Sequence, residues 1–358
     1  MIKVKVAKKA AGAPVSPPAV VKSSVTDKVQ NKGGKLVIAS ASYQLNQLQK
    51  QGVKVVDQAP APTKADSKKR IREDEKDEEE PPAKKKKEDD NLFAKHFELP
   101  DSWGAHPDMS IKEVAVPPDS QEFQKIEKMV SGTVADYHKN NTGNHPVKFT
   151  TLKVTRVVRI QNPTLWLLYN TRKKAMIEQY NKKPSNQVTK VLTGLTTDAV
   201  AQEYFLFHGL NENGVPGITR FGFDPRFCSL KGMFGAGIYF ADNSSKANQY
   251  CHGGSCTASG FLTGRAQCRC KKTEEACMML CRVALGDPWM EIKYRGNKNP
   301  GDFWFEKRCE VSKPGGGVYN SVIGESQVNG GSILLLREYV VYEASQTYPE
   351  YIIYYKRV

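Results

Sequence analysis

Apolar and polar residues follow two different rhythms along this chain, and over its opening stretch they follow neither. A helical period appears first after about Asn91. Asp119 or Ser120 offers an N-cap, and Phe123, Ile126, Val130, Val134 and Tyr137 recur at three- and four-residue spacing, which predicts one amphipathic helix. "KFTTLKVTRVVRI" then turns to β-branched alternation and predicts a strand. In "QNPTLWLLYNTRKKAMIEQY" Asn162 caps a second helix, Pro163 sits in its first turn, and Leu165, Tyr169, Met176 and Tyr180 share a face. Beyond it the apolar runs are short and broken by Gly, Asn and Pro: "EYFLFHG", "GAGIYFA", "ACMMLCRVALG", "VYNSVIG", "SILLLREYVVYE" and "EYIIYYKRV". These predict strands joined by turns, not βα units. The folded part is therefore α+β, with helices leading and a mostly antiparallel sheet following.

Charge explains the opening stretch. The chain of 358 residues carries a net charge of +15, and up to Asp90 it holds 20 Lys/Arg against 13 Asp/Glu with almost no aromatics. So little apolar surface cannot offset the entropy of ordering, so residues 1–95 are expected to be a disordered basic and acidic tail and 96–358 the folded domain. "KLVIASASYQ" (Lys35 to Gln44) is a lone strand at most. Within "KKRIREDEKDEEEPPAKKKK" the basic clusters Lys68–Arg70 and Lys84–Lys87 flank an acidic run, a spacing that suits a bipartite nuclear import signal, and hence the nucleus. The same lysines offer a sequence-independent nucleic-acid contact. No stretch is apolar and long enough for a signal peptide or a membrane span, so secretion and membrane insertion are not expected.

Candidate chemistry begins with "GMFGAGIYF", three glycines within six positions. It precedes a strand, whereas a dinucleotide-binding glycine loop follows one, and no Gly-Lys-Ser/Thr completes a Walker loop. What remains is a glycine-rich turn, read as letting main chain lie close to a flat ligand, with Tyr239 and Phe240 on opposite faces of the next strand. Upstream, "LFHG" ends an apolar strand on His208 and Gly209. Downstream, "ADNSSKANQY" begins with cap residues and carries Tyr250 about three helical turns on. Glu338 stands inside an otherwise apolar run, a setting in which a carboxylate needs a partner or a task.

In order and separation, "YFLFHG", "KGMFGAGIYFADNSSKANQYC", "NSVIGESQVNG", "REYVVYE" and "YPEYIIYY" closely resemble the catalytic domain of the poly(ADP-ribose) polymerases, most nearly the tankyrases, over roughly Ile111 to Val358. The resemblance implies the ADP-ribosyltransferase fold, a split and mostly antiparallel sheet, with NAD+ as substrate. His208, Tyr239 and Glu338 become the catalytic set. His208 bonds a hydroxyl of the adenine-side ribose, Gly209 pairs its main chain with the nicotinamide carboxamide, and Tyr239 and Tyr250 stack on the ring. Glu338 stabilises the oxocarbenium charge that grows as nicotinamide leaves, and in the family it accompanies polymer synthesis. The implied activity is therefore poly-ADP-ribosyl transfer to proteins, including the chain's own acidic tail. The alternatives are transfer of single units, or an NAD+-binding scaffold without turnover. One residue departs from the pattern: Ala247 stands where the family usually has a serine whose hydroxyl meets the nicotinamide carbonyl, with Ser244 or Ser245 as substitutes. "FDPRFCSLKG" takes the donor-loop position, where Arg226, Phe227 and Lys231 contact adenine or pyrophosphate. Six of the eight cysteines fall between Cys251 and Cys281. The segment matches that of the small tankyrase zinc site, which implies His252, Cys256, Cys268 and Cys270 as ligands of a structural Zn2+, with Cys251 able to replace His252. Cys277 and Cys281 are expected to be buried.

Overall fold

The computed structural model describes residues 99–358 apart from 105–108, 142–144, 254–255, 257, 259–267 and 309–310. The predicted tail, its import signal and the lone strand at Lys35 to Gln44 lie outside the described residues. Strand β1 (Lys112–Val116) leads into helix α1 (Gln121–Gly132), where the Ser120 hydroxyl accepts from the Phe123 amide and completes the cap. Phe123, Ile126 and Val130 are buried as the spacing requires. Val134 and Tyr137 keep the period but lie beyond the helix. The carbonyl of Thr133, its C-cap, accepts from the side chain of Asn243, so a tertiary bond replaces the next turn.

β2 (Leu152–Gln161) is followed by α2 (Pro163–Gln179), capped by the Asn162 side-chain oxygen Oδ1 accepting from the Leu165 amide. Tyr169, Met176 and Tyr180 are buried with Trp166, whose ring meets Tyr348 edge-on at 5.1 Å. Then follow β3 (Glu203–Gly209), α3 (Val215–Phe221), β4 (Ile238–Phe240), α4 (Ser244–Asn248), β5 (Ala276–Ala284), β6 (Pro288–Glu291), β7 (Ser321–Gly324), β8 (Glu338–Val341) and β9 (Thr347–Arg357). The helix leading to Tyr250 is thus a single short segment, and the "SILLLREYVVYE" run becomes a strand only from Glu338 onward. Among the described residues no helix is long and apolar enough to cross a membrane.

The strands form two sheets, one ordered β1-β2-β9-β5-β3 and one ordered β4-β8-β7-β6. Every pairing is antiparallel except β6 with β7. Strand β5 reads as a continuous apolar run because both of its faces are covered. Cys277, Met279, Cys281 and Val283 join the core that also holds Phe240, Ile323 and Tyr339 of the second sheet, while Met278 and Leu280 pack with Phe123, Ile126 and Val130 of α1. Cys277 and Cys281 are fully buried, as expected. At their edges the sheets meet, among the described residues, through one bridge, in which Phe207 and Ala241 exchange two N–H···O bonds of 2.7 and 2.9 Å.

Candidate active site

The cleft opens where the two sheets part. Glu338 heads β8 one step beyond the Phe240–Tyr339 pair, so it emerges beside Ala241 and the bridge to Phe207. His208 and Gly209 follow that bridge on β3. A cavity of about 90 Å³ there is lined by His208 and Gly209, by Tyr239 from β4, by Lys246 and Ala247 from α4, and by Tyr250 and Glu338. Of the residues singled out from the sequence, His208, Gly209, Tyr239, Ala247, Tyr250 and Glu338 share this one cavity.

Each wall is held by identifiable bonds. His208 Nδ1 lies 2.8 Å from the carbonyl oxygen of Tyr239 and donates to it, which leaves Nε2 for a ligand. Its ring meets Phe223 edge-on at 4.8 Å, and burial lowers its pKa, so the imidazole is neutral. A Cβ on Gly209 would lie 2.0 Å from the carbonyl oxygen of Ala247, so only glycine lets β3 and α4 pack this closely.

The glycine-rich turn has a different role from the one its sequence suggested. Its close approach is to the protein itself: a Cβ on Gly232 would lie 2.4 Å from the Tyr239 hydroxyl. That hydroxyl donates to the carbonyl of Gly235 and accepts from the amide of Phe234, each at 2.8 Å. The turn therefore anchors the phenol and fixes the ring that the cavity presents.

Sequence reasoning missed Lys246. Its ammonium lies 2.7 Å from Glu338 Oε1, with the two side chains only 18% and 8% exposed. Burial works against the ammonium, but Glu338, with Tyr250 and Tyr137 nearby, outweighs it and leaves the lysine pKa above its ordinary value. The signal available in the sequence was weak: one lysine in a serine- and asparagine-rich segment, whose acidic partner comes from a strand far along the chain.

Ala247 is buried, and neither neighbouring serine stands in for a hydroxyl there. Ser244 Oγ donates to the carbonyl of Val130 at 2.6 Å, whereas Ser245 Oγ accepts from the amide of Ala135 and bonds His138 Nδ1 at 2.8 Å. Both hydroxyls are committed to the α1 side of α4. The donor-loop residues stand apart from the cavity: Phe227 is 89% exposed, Arg226 forms an ion pair with Asp224 at 2.5 Å, and the Lys231 carbonyl accepts from Asn297.

A second cluster gathers the predicted metal ligands. His252 Nδ1 lies 3.9 Å from both Cys256 Sγ and Cys270 Sγ. A ligand atom from each of His145, His252, Cys268 and Cys270 lies within 4.8 Å of the others. His145 was absent from the sequence-derived set because it comes from the loop after α1. Ligand atoms about 2.0–2.3 Å from a tetrahedral zinc stand about 3–4 Å apart, so this donor set fits a zinc-sized ion. Burial pushes the Cys270 thiol up to about 12, whereas amides of Arg269 and Ala258 draw Cys256 below its ordinary value despite burial. Cys251 is directed elsewhere, its thiol donating to the carbonyl of Ala247.

The poly(ADP-ribose) polymerase catalytic domain matches residues 120–357. Curated relatives include the mouse protein mono-ADP-ribosyltransferase PARP12, 27% identical over 260 residues that cover 72% of this chain and 27% of that protein. Mouse mono-ADP-ribosyltransferase PARP11 is 25% identical over 265 residues, covering 71% of this chain and 64% of that protein. Arabidopsis thaliana poly [ADP-ribose] polymerase 1 is 30% identical over 168 residues, 42% of this chain and 15% of that protein. The chain thus spans only about a quarter of the PARP12 length. These relatives correct the tankyrase likeness, since two of the three are named for single-unit transfer. With the match covering well over half of its residues, including every wall of the cleft, the chain belongs to the poly(ADP-ribose) polymerase catalytic-domain family.

Proposed function

We propose that this chain is an NAD+-dependent ADP-ribosyltransferase that adds single ADP-ribose units to proteins. The observation that carries the reading is Glu338, at the base of a cavity walled by His208, Gly209 and Tyr239 and held by Lys246. As the bond from ribose C1′ to the nicotinamide nitrogen breaks, nicotinamide leaves with the bonding pair and positive charge grows on the sugar. A fixed carboxylate hydrogen-bonded to the ribose hydroxyls stabilises that charge more in the transition state than in bound NAD+. Lys246 holds the carboxylate in place through its 2.7 Å ion pair. His208 Nε2 positions the adenine-side ribose, Gly209 main chain takes the carboxamide, and Tyr239 and Tyr250 offer ring faces worth ~1 kcal/mol beyond area burial.

The relatives PARP11 and PARP12, by their names, favour single units, while Glu338 favours the second reading, polymer synthesis. Labelled NAD+ followed by a denaturing gel separates the two: a sharp labelled band supports single units, a smear supports polymer, and an unlabelled chain with NAD+ left intact sinks both. A structural Zn2+ held by His252, Cys268 and Cys270, with Cys256 or His145 as fourth ligand, is part of the proposal. Elemental analysis finding no metal at one equivalent per chain would remove it. The spacing of the basic clusters Lys68–Arg70 and Lys84–Lys87 supports nuclear import, and the acidic runs beside them, Glu73–Glu80 and Glu88–Asp90, supply acceptor carboxylates for self-modification. Nucleic-acid contact through the same lysines is tested by salt-dependent binding to a DNA duplex.

A further inference from the structure

The loop between β7 and β8 (325–337) runs directly into Glu338, and a buried ion pair closes its neck. Arg337 and Glu325 are each 5% exposed, and the guanidinium grips the carboxylate with two bonds, Nε to Oε1 at 3.0 Å and Nη2 to Oε2 at 2.8 Å. Nη1 donates to the carbonyl of Thr189 at 2.7 Å and lies 3.3 Å from the Tyr339 hydroxyl. That hydroxyl donates to Asp242 at the entry to α4, and the same Asp242 oxygen accepts from the Leu192 amide. One guanidinium therefore ties the loop neck to the 189–192 segment, to β8 and to the turn that carries Lys246.

Replacing a buried ion pair with well-packed apolar residues is often neutral or stabilising, so stability alone gives little reason for this arrangement. Its distinctive contribution is direction. A bidentate fork fixes both distance and angle, and Arg337 is the immediate neighbour of Glu338. Beyond the neck, Gln327 donates to Leu334 at 2.7 Å and Gly331 to Ser326 at 2.8 Å, while Val328 and Leu335 stand 85% and 56% exposed. The pinned loop thus carries exposed apolar side chains, Leu335 only three residues before the acid, a contact that a polypeptide uses and water does not.

We propose that the Glu325–Arg337 pair is a positioning device that holds the 325–337 loop beside Glu338, so that a protein nucleophile rather than water reaches ribose C1′. The inference rests on the transferase reading. In both outcomes nicotinamide departs with the C1′–N bonding pair and a new bond forms to C1′; water or a hydroxyl then gives up its proton to solvent, whereas an ionised carboxylate acceptor has none to lose. With a protein group the product is a modified chain, and with water it is free ADP-ribose.

The test supplies labelled NAD+ to the full chain and compares label on the protein with free ADP-ribose. The double variant Glu325→Met/Arg337→Met is expected to melt near wild type and to keep its KM for NAD+, while the ratio of protein label to free ADP-ribose falls roughly tenfold to a hundredfold. Glu325→Gln, nearly isosteric, moves the ratio in the same direction by less, and decides the matter if the double variant does not fold. Arg337→Lys, which keeps the charge and loses the fork, falls between. A wild-type ratio in folded variants, or a wild-type chain that yields only free ADP-ribose, overturns the positioning role. A wild-type chain that consumes no NAD+ overturns the transferase reading beneath it.

Discussion

Two buried glutamates, Glu203 at the head of β3 and Glu338 at the head of β8, meet the cost of burial in different ways. Glu203 is fully enclosed and saturated: one oxygen accepts from Thr196, Thr197 and Arg282, the other from Tyr169 and Lys173. Burial pushes its carboxyl up, but Lys173, Thr196 and Arg282 outweigh it and draw the pKa down to about 2. Glu338 faces a cavity and, among the described residues, takes one ion-pair partner, Lys246. An acid whose lone pairs are all used is scaffold. One that keeps acceptor capacity toward an empty space is equipped to receive a ligand's hydroxyls.

Breaking each side of this contrast gives separable outcomes. Glu203→Ala leaves Arg282 to Glu350 and Lys173 to Asp198 but strands the buried Tyr169 hydroxyl and one Arg282 N–H, and is expected to cost about 1–3 kcal/mol of stability in denaturant unfolding. Activity per folded molecule should survive it. Glu338→Gln should do the reverse, lowering turnover by about 10²–10³-fold with little change in melting temperature or in KM for NAD+. If Glu338→Gln turns over normally, the assignment of the acid fails.

Acid titration sharpens the difference. The depressed carboxyl of Glu203 contributes stability that is present above its unfolded value, ~4.3, and is lost as pH falls toward about 2. Glu203→Gln should flatten the unfolding profile in that window. A smaller effect is expected at Ala247, where Ala247→Ser restores one neutral hydrogen bond worth ~1 kcal/mol, tightening a nicotinamide-mimicking inhibitor roughly fivefold in a calorimetric titration. Phe227→Ala, on a side chain packed against nothing, should change stability by less than about 0.5 kcal/mol.

The contrast also marks what the sequence could reveal. Strands β3, β4, β5 and β9 were legible because period and apolar content report burial directly, and His208, Tyr239 and Glu338 were legible as part of an ordered set of motifs. The α1 terminus was not, because Val134 and Tyr137 keep helical spacing while Asn243 ends the helix from a distant segment. Lys246 and His145 escaped for a related reason: each acquires its meaning from a partner brought close only by folding. The glycines around Phe234 were readable as a site of close approach. What approaches them, the Tyr239 hydroxyl, was not.

The Phe207–Ala241 bridge between the sheets has a dynamic corollary. A dinucleotide lying across that seam would act as a cross-brace, stitching together two slabs that the backbone joins there by two hydrogen bonds. Amide exchange at those residues should then slow on ligation more than anywhere in the interior of either slab.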